Sequence, residues 1–255
     1  MVLKIKQFVI IITIICFASC KQENPTLVKI DTKQISITDS IPPAQAIIHY
    51  ISPYQKRIDE VLDSTLAYAL HTISKTDGRW NSTAGNLMAD AVLQLAGPIF
   101  KSRTQHDLDF VLLNHGGIRS IISKGNVTTR TAYEIMPFEN SIVVVALKGK
   151  AIREMVSYLI NSKVPHPIAG LQIIIARNGS LKAVTINGKP FDENKTYYIA
   201  TSDYLVTGGD RMNFFKEKIS ITETDYLIRN IMIDYFKKYD TIAPTVDNRF
   251  IKLED

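Results

Sequence analysis

Three short segments hold the residues best suited to chemistry. The first is Asn114-His115-Gly116-Gly117-Ile118-Arg119, which follows directly on the apolar run Phe110-Val111-Leu112-Leu113. A buried strand that breaks into Asn-His-Gly-Gly leaves backbone N–H groups free and lets a ligand come close to the main chain. Arg119 then offers a planar fork of donors that matches a phosphate group. Taken alone, these residues also fit a tight turn with a surface arginine. The second segment is Met136-Pro137-Phe138-Glu139-Asn140. Its proline-led turn displays Phe138, whose ring can stack on a purine or pyrimidine, and Asn140 can read a base edge. A core phenylalanine at a strand start is the other reading. The third is Ser202-Asp203-Tyr204-Leu205-Val206-Thr207-Gly208-Gly209-Asp210. Here Tyr204 offers an opposing stacking face and Asp210 a carboxylate for ribose hydroxyls. A flexible loop with capping aspartates would look the same.

These segments must be positioned by the elements between them. Ile58, Val61, Leu62, Thr65, Leu66, Ala69 and Leu70 recur at helical spacing, which predicts a helix over residues 53–70 with Pro53 in its first turn. A second helix is expected over residues 83–95. Its face is Ala84, Leu87, Met88, Ala91, Val92 and Leu95, and Gly97-Pro98 closes it. Strands are expected over 110–113, 141–147 and 196–201, with a helix over 151–160 and a terminal helix over 225–238. Residues 171–176 and 183–186 read as paired strands, with turn dipeptides at Asn178-Gly179 and Asn187-Gly188. This irregular alternation predicts an α/β or α+β domain with mixed sheets flanked by helices.

The chain has 255 residues, 45% hydrophobic and 22% charged, which suits one well-filled core. A net charge of +5 suits an anionic small molecule or an acidic surface. The charges are scattered and too few to point to nucleic acid, so no nucleic-acid partner is expected. Lys4 and Lys6 precede an apolar run from Phe8 to Phe17 that is short for a bilayer span. The run ends in Phe17-Ala18-Ser19-Cys20, which resembles a bacterial lipoprotein signal with Cys20 as the lipidated residue. An ordinary cleaved signal peptide is the rival reading. The expected organisation is therefore a signal over 1–20, a flexible tether over 21–54 and a folded domain over 55–255. The tether carries Pro25, Pro42, Pro43 and Pro53, and one short extended segment is expected near 35–41. The only cysteines are Cys16 and Cys20, so the mature domain would hold no disulfide and no thiolate metal site. Export to the bacterial cell envelope, anchored in a membrane through Cys20, follows.

Together, the three segments resemble, in order and spacing, the C-terminal domain of the 5′-nucleotidase family. The resemblance covers about residues 55–250. It includes Gly85-Asn86-Leu87-Met88-Ala89-Asp90-Ala91, Gly125-Asn126-Val127-Thr128 and Val145-Ala146-Leu147-Lys148-Gly149. It implies a fold like that domain's and a substrate site made of Asn114, Gly116, Gly117, Arg119, Phe138, Asn140, Tyr204 and Asp210. Asn114 and Arg119 would bind substrate, Phe138 and Tyr204 would hold the base between them, and Asp210 would contact ribose. The sequence departs from the family in three places. Arg79 stands one residue out of register with a phosphate-binding arginine, and Asn81 replaces an acid. The loop before Gly170 lacks the usual glycines. His115 replaces a small residue and reads as a rim or backbone-ordering group.

The resemblance also implies what is missing. Family hydrolysis uses an N-terminal domain with two metal ions, held by several histidines and carboxylates. The five histidines here, His49, His71, His106, His115 and His166, are scattered and lack ligand spacing. The expectation is a nucleotide- or nucleoside-binding domain with no catalytic residue and no cofactor of its own. It would be the non-catalytic half of a split enzyme in nucleotide catabolism, with the dimetal centre on a separate metallophosphatase. The alternatives are a stand-alone nucleotide-binding surface lipoprotein or a structural lipoprotein.

Overall fold

The structure is a computed structural model that describes residues 2–17, 27–38, 40–162 and 164–254. Cys20, the expected lipidation site, lies outside the described residues. In chain order the elements begin α1 (Val2–Phe17), α2 (Gln45–Leu62), β1 (Thr65–Ala69), α3 (Thr83–Thr104), β2 (Phe110–Leu112), β3 (Gly125–Thr128), α4 (Thr129–Ile135), β4 (Ser141–Lys148) and α5 (Gly149–Asn161). They continue β5 (Ile168–Ala169), β6 (Leu171–Ile175), β7 (Leu181–Ile186), β8 (Lys189–Pro190), β9 (Thr196–Ser202), α6 (Asp203–Val206), β10 (Ser220–Leu227), α7 (Ile228–Lys238), β11 (Thr241–Ile242) and β12 (Phe250–Lys252). Residues 1–50 and 51–255 form two separate units.

The larger unit is a mixed α/β domain built around a five-stranded sheet of order β10-β4-β9-β2-β5. Three- and four-stranded sheets of order β11-β1-β3 and β12-β6-β7-β8 accompany it. The central strand β4 shows why its sequence is a continuous apolar run rather than an alternating one. Ile142 and Val144 pack into one hydrophobic cluster with residues of α3 and α7. Val143, Val145 and Leu147 pack into a second cluster with residues of α5 and β6. A sheet covered on both faces needs apolar side chains at every position.

Four expectations are corrected. The helix expected over 53–70 is instead α2, which ends at Leu62, followed by β1. Ala67 and Ala69 are buried in β1, whose hydrogen bonds run to β3 and β11. Alternation over so short a stretch can be read as either period, and only tertiary pairing decides. The tether expected to extend to residue 54 is helical from Gln45 onward. Next, α3 does not stop at Gly97-Pro98 but runs on to Thr104, with Pro98 inside it. Ala96 and Phe100 are fully packed in the core on either side of that proline. Their burial offsets the hydrogen bond that Pro98 cannot make. Finally, the terminal helix α7 starts at Ile228, because residues 220–227 form β10 and pair with β4.

Candidate functional site: a cavity between two aromatic rings

Sheet topology places the three chemical segments side by side. Strand β9 is antiparallel to β4 and parallel to β2. The C-terminal ends of β2 and β9 and the N-terminal end of β4 therefore lie at one edge of the sheet. Asn114 follows β2, Phe138 and Asn140 precede β4, and Tyr204 and Asp210 follow β9. Asn114, Gly116, Gly117, Arg119, Phe138, Asn140, Tyr204 and Asp210 line one cavity of about 330 Å³. That is the lower end of small-ligand pocket sizes, enough for one compact molecule.

Within it the polar groups hold one another. Asn114 is buried, and its Nδ2 donates to Asp210 Oδ2 at 2.8 Å. Tyr204 Oη reaches Asp210 Oδ1 at 3.4 Å, and Tyr158 Oη donates to the Asp210 carbonyl at 2.9 Å. Asp210 sits at φ 51°, in the left-handed region, so these contacts hold a backbone conformation that an aspartate adopts at some cost. Gly209 is required here by proximity. A Cβ at that position would lie 2.4 Å from the Tyr204 ring. Residues His115–Gly117 form a single 3-10 turn. Arg119 Nη1 donates to the Gly116 carbonyl at 3.3 Å, and its guanidinium carbon lies 5.8 Å from the Phe138 ring centre. Phe138 is 41% exposed and Tyr204 46%, so neither is a core aromatic. Both side chains present exposed surface where they line the cavity.

Sequence reasoning missed the residue that holds the Phe138 turn. Arg229, near the start of α7, is 5% exposed. Its guanidinium donates to the carbonyls of Pro137 at 3.4 Å and Phe138 at 3.5 Å, and pairs with Glu139. It also lies 4.2 Å from the Tyr133 ring centre. A lone arginine in an amphipathic helix gives no sign that it clamps a loop far earlier in the chain.

A second support lies behind the 3-10 turn. The backbone N–H of His115 donates to His166 Nδ1 at 3.3 Å. That leaves the proton of the neutral ring on Nε2, where it faces Ser162 Oγ at 3.1 Å. Burial pushes His166 down to about 4, against the pull of Asp210 and with a further push from His115. His115 is lowered as well, chiefly by burial. The unfolded chain therefore binds more protons than the native one between about pH 6.5 and 4. The stability contributed by neutral His166 is complete above about pH 6.5 and is lost progressively towards about pH 4. Urea midpoints are expected to fall across this interval, and to fall less in His166→Gln. Parallel profiles for the two proteins would refute this account.

The remaining candidates are placed elsewhere. Arg79 lines a different cavity, of about 620 Å³, with its guanidinium 5.3 Å from the Trp80 ring centre. Asn81 is buried and structural: its Oδ1 accepts from Asn86 Nδ2 at 2.7 Å and from the Asp247 N–H at 3.1 Å. The His115 ring is half-buried and touches the Lys75 backbone rather than the cavity. Among the described residues, no three histidine, cysteine, aspartate or glutamate side chains are grouped to hold a metal ion. No helix among the described residues is long and apolar enough to cross a membrane.

A mixed-sheet domain of this kind has clear counterparts among known proteins. Residues 65–217 match the family described as "5'-nucleotidase, C-terminal domain", and the chain belongs to that family. Protein UshA of Escherichia coli strain K12 is 25% identical over 231 residues, covering 84% of this chain and 38% of its own length. A 5'-nucleotidase of Vibrio cholerae is 23% identical over 230 residues, covering 86% and 38%. Cell wall protein Lmo0130 of Listeria monocytogenes is 26% identical over 218 residues, covering 76% and 27%. The chain thus spans well under half the length of these curated relatives. Among solved structures, a 5'-nucleotidase precursor from Thermus thermophilus shares the fold, with a TM-score of 0.67 at 23% identity. The match covers 83% of this chain and 43% of that one.

Proposed function

We propose that this domain is the nucleotide- or nucleoside-binding half of a 5′-nucleotidase-type phosphohydrolase system in nucleotide catabolism. The metal ions and the bond-breaking step belong to a separate metallophosphatase. The carrying observation is the cavity itself, which brings two exposed aromatic residues, Phe138 and Tyr204, together with the Asp210 carboxylate and Arg119. The absence of a metal-ligand cluster among the described residues supports assigning hydrolysis elsewhere. Calorimetry of the purified protein with adenosine and AMP tests the reading, which predicts binding without hydrolysis. Turnover of AMP by the protein alone would contradict the division of labour, and no binding of either ligand would contradict the site.

The surface near α2 supports a partner. No residue of α2 is buried. Tyr54, Arg57, Ile58, Val61 and Leu62 line a groove of about 450 Å³ with Tyr133 of α4. Arg130 of α4 pairs with Asp59 and Asp63, which fixes α2 against α4 along this groove. In the relatives, the length that this chain does not match is the greater part of the protein, and α2 ends just ahead of residue 65, where the family match begins. The groove is accordingly assigned to the metallophosphatase half. Placing aspartates at Ile58 and Val61 is expected to abolish restoration of AMP hydrolysis by a metallophosphatase while leaving adenosine affinity unchanged. Undiminished restoration would remove the groove from the interface. The same reading places the chain at a membrane of the bacterial cell envelope through lipidated Cys20. Metabolic labelling with palmitate, lost in Cys20→Ala, tests that anchor.

A further inference from the structure

The carboxylate of the cavity is carried on an unfavourable stretch of backbone. Asp210 has φ 51° and Arg211 φ 60°, two successive non-glycine residues in the left-handed region. Aspartate tolerates that region better than most residues, and arginine gains no such relief. A pair of this kind persists only where surrounding contacts over-determine it. Two of those contacts act on the carboxylate: Asn114 Nδ2 donates to Oδ2 and Tyr204 Oη reaches Oδ1. The third acts on the main chain, where Tyr158 Oη donates to the Asp210 carbonyl at 2.9 Å.

Tyr158 is itself a fixed point. It stands on α5, whose Ile152, Met155, Val156 and Leu159 are buried in the second hydrophobic cluster. Its ring lies 5.5 Å from the His166 ring and 5.7 Å, edge-on, from that of buried Phe214. Burial first, and then Asp210, push the phenol up, which keeps it a proton donor at neutral pH. Tyr158 does not line the cavity, so it reaches a ligand only through Asp210. Each Asp210 carboxylate oxygen accepts one of the bonds above and keeps lone-pair capacity for another. Two such oxygens side by side suit two neighbouring hydroxyls. We propose that Tyr158 is a positioning residue: by holding the Asp210 main chain it aims the carboxylate at the paired hydroxyls of a ribose, and so sets the discrimination between a riboside and a sugar without them. This rests on the nucleoside-binding reading given above.

The test is calorimetry with adenosine and 2′,3′-dideoxyadenosine as probes, on the wild type, Tyr158→Phe, Asp210→Gly and the double variant. The wild type should bind adenosine roughly tenfold or more tightly than 2′,3′-dideoxyadenosine, the scale of a hydrogen bond to a charged group. Tyr158→Phe keeps the ring contacts and removes one bond. It should lose most of that preference with 2′,3′-dideoxyadenosine affinity unchanged, and the unchanged affinity also reports that the variant is folded. Asp210→Gly removes the carboxylate while allowing the same backbone. Adding Tyr158→Phe to it should lower adenosine affinity no further, because the two residues act as one unit. A preference for adenosine that survives Tyr158→Phe overturns the proposal. So does an equal loss for both ligands, which would make Tyr158 a general support for the loop, and so does a further loss in the double variant. Equal wild-type affinity for the two ligands would sink the proposal and leave the nucleoside reading standing. Binding of neither would sink both.

Discussion

Removing either aromatic face, by Phe138→Ala or Tyr204→Ala, is expected to weaken adenosine or AMP binding by about 1–3 kcal/mol, the scale of a lost base–aromatic stack. Loss of both should leave no measurable binding. The expectation follows from exposure rather than from motif alone. Both side chains are more than two-fifths exposed, so neither truncation opens a void in the core, and thermal stability should barely change. Tyr204→Phe separates the two roles of the tyrosine. It keeps the ring and removes the 3.4 Å contact to Asp210 Oδ1, so most of the affinity should survive. Unchanged affinity in both alanine variants would remove the rings from the binding site.

The second large effect is expected at Arg229. Arg229→Met fills nearly the same volume but leaves the Pro137 and Phe138 carbonyls without their donor and removes the cation from the Tyr133 ring. These carbonyls are part-buried, so losing their donor adds part of a buried group's desolvation penalty to the lost hydrogen bonds. Glu139 is well exposed and can return to water, which limits the penalty. A destabilisation of about 2–3 kcal/mol in urea unfolding is therefore expected. Nucleoside affinity should fall as well, because the turn carrying Phe138 is then held less firmly. Arg229→Lys should recover part of the stability and less of the affinity, since one ammonium cannot span both carbonyls and Glu139. If Arg229→Met lowers stability while nucleoside affinity keeps its wild-type value, Arg229 supports the fold and not the site.

These expectations differ in how far they were legible in the sequence. Phe138, Tyr204 and Asp210 were legible because their segments, Pro137-Phe138 and Tyr204 to Gly208-Gly209-Asp210, resemble those of the family's C-terminal domain in order and spacing. Strand β4 was legible because a sheet buried on both faces demands an unbroken apolar run. Arg229, His166 and Tyr158 were not legible. Each acts through a contact with a segment far away in the chain, Arg229 on Pro137, His166 on His115 and Tyr158 on Asp210, and local sequence carries no record of a distant backbone group.

The same division explains the fold. Local pattern misread residues 63–70 as helix and residues 225–227 as the start of α7. In both places the competing state is a strand whose hydrogen bonds come from partners distant in sequence, β11 and β3 for β1 and β4 for β10. By itself, the sequence supplied ring faces at Phe138 and Tyr204 and polar groups at Asn114, Arg119 and Asp210, because such chemistry belongs to residue types, and their resemblance to the 5′-nucleotidase C-terminal domain implied that they form one site. Only the tertiary structure decided that they meet. That required β2 and β9 to run parallel and β4 antiparallel to them, so that three strand ends share one edge of the sheet. Hydrogen-bond pairing between distant strands sets that geometry, and no local preference encodes it.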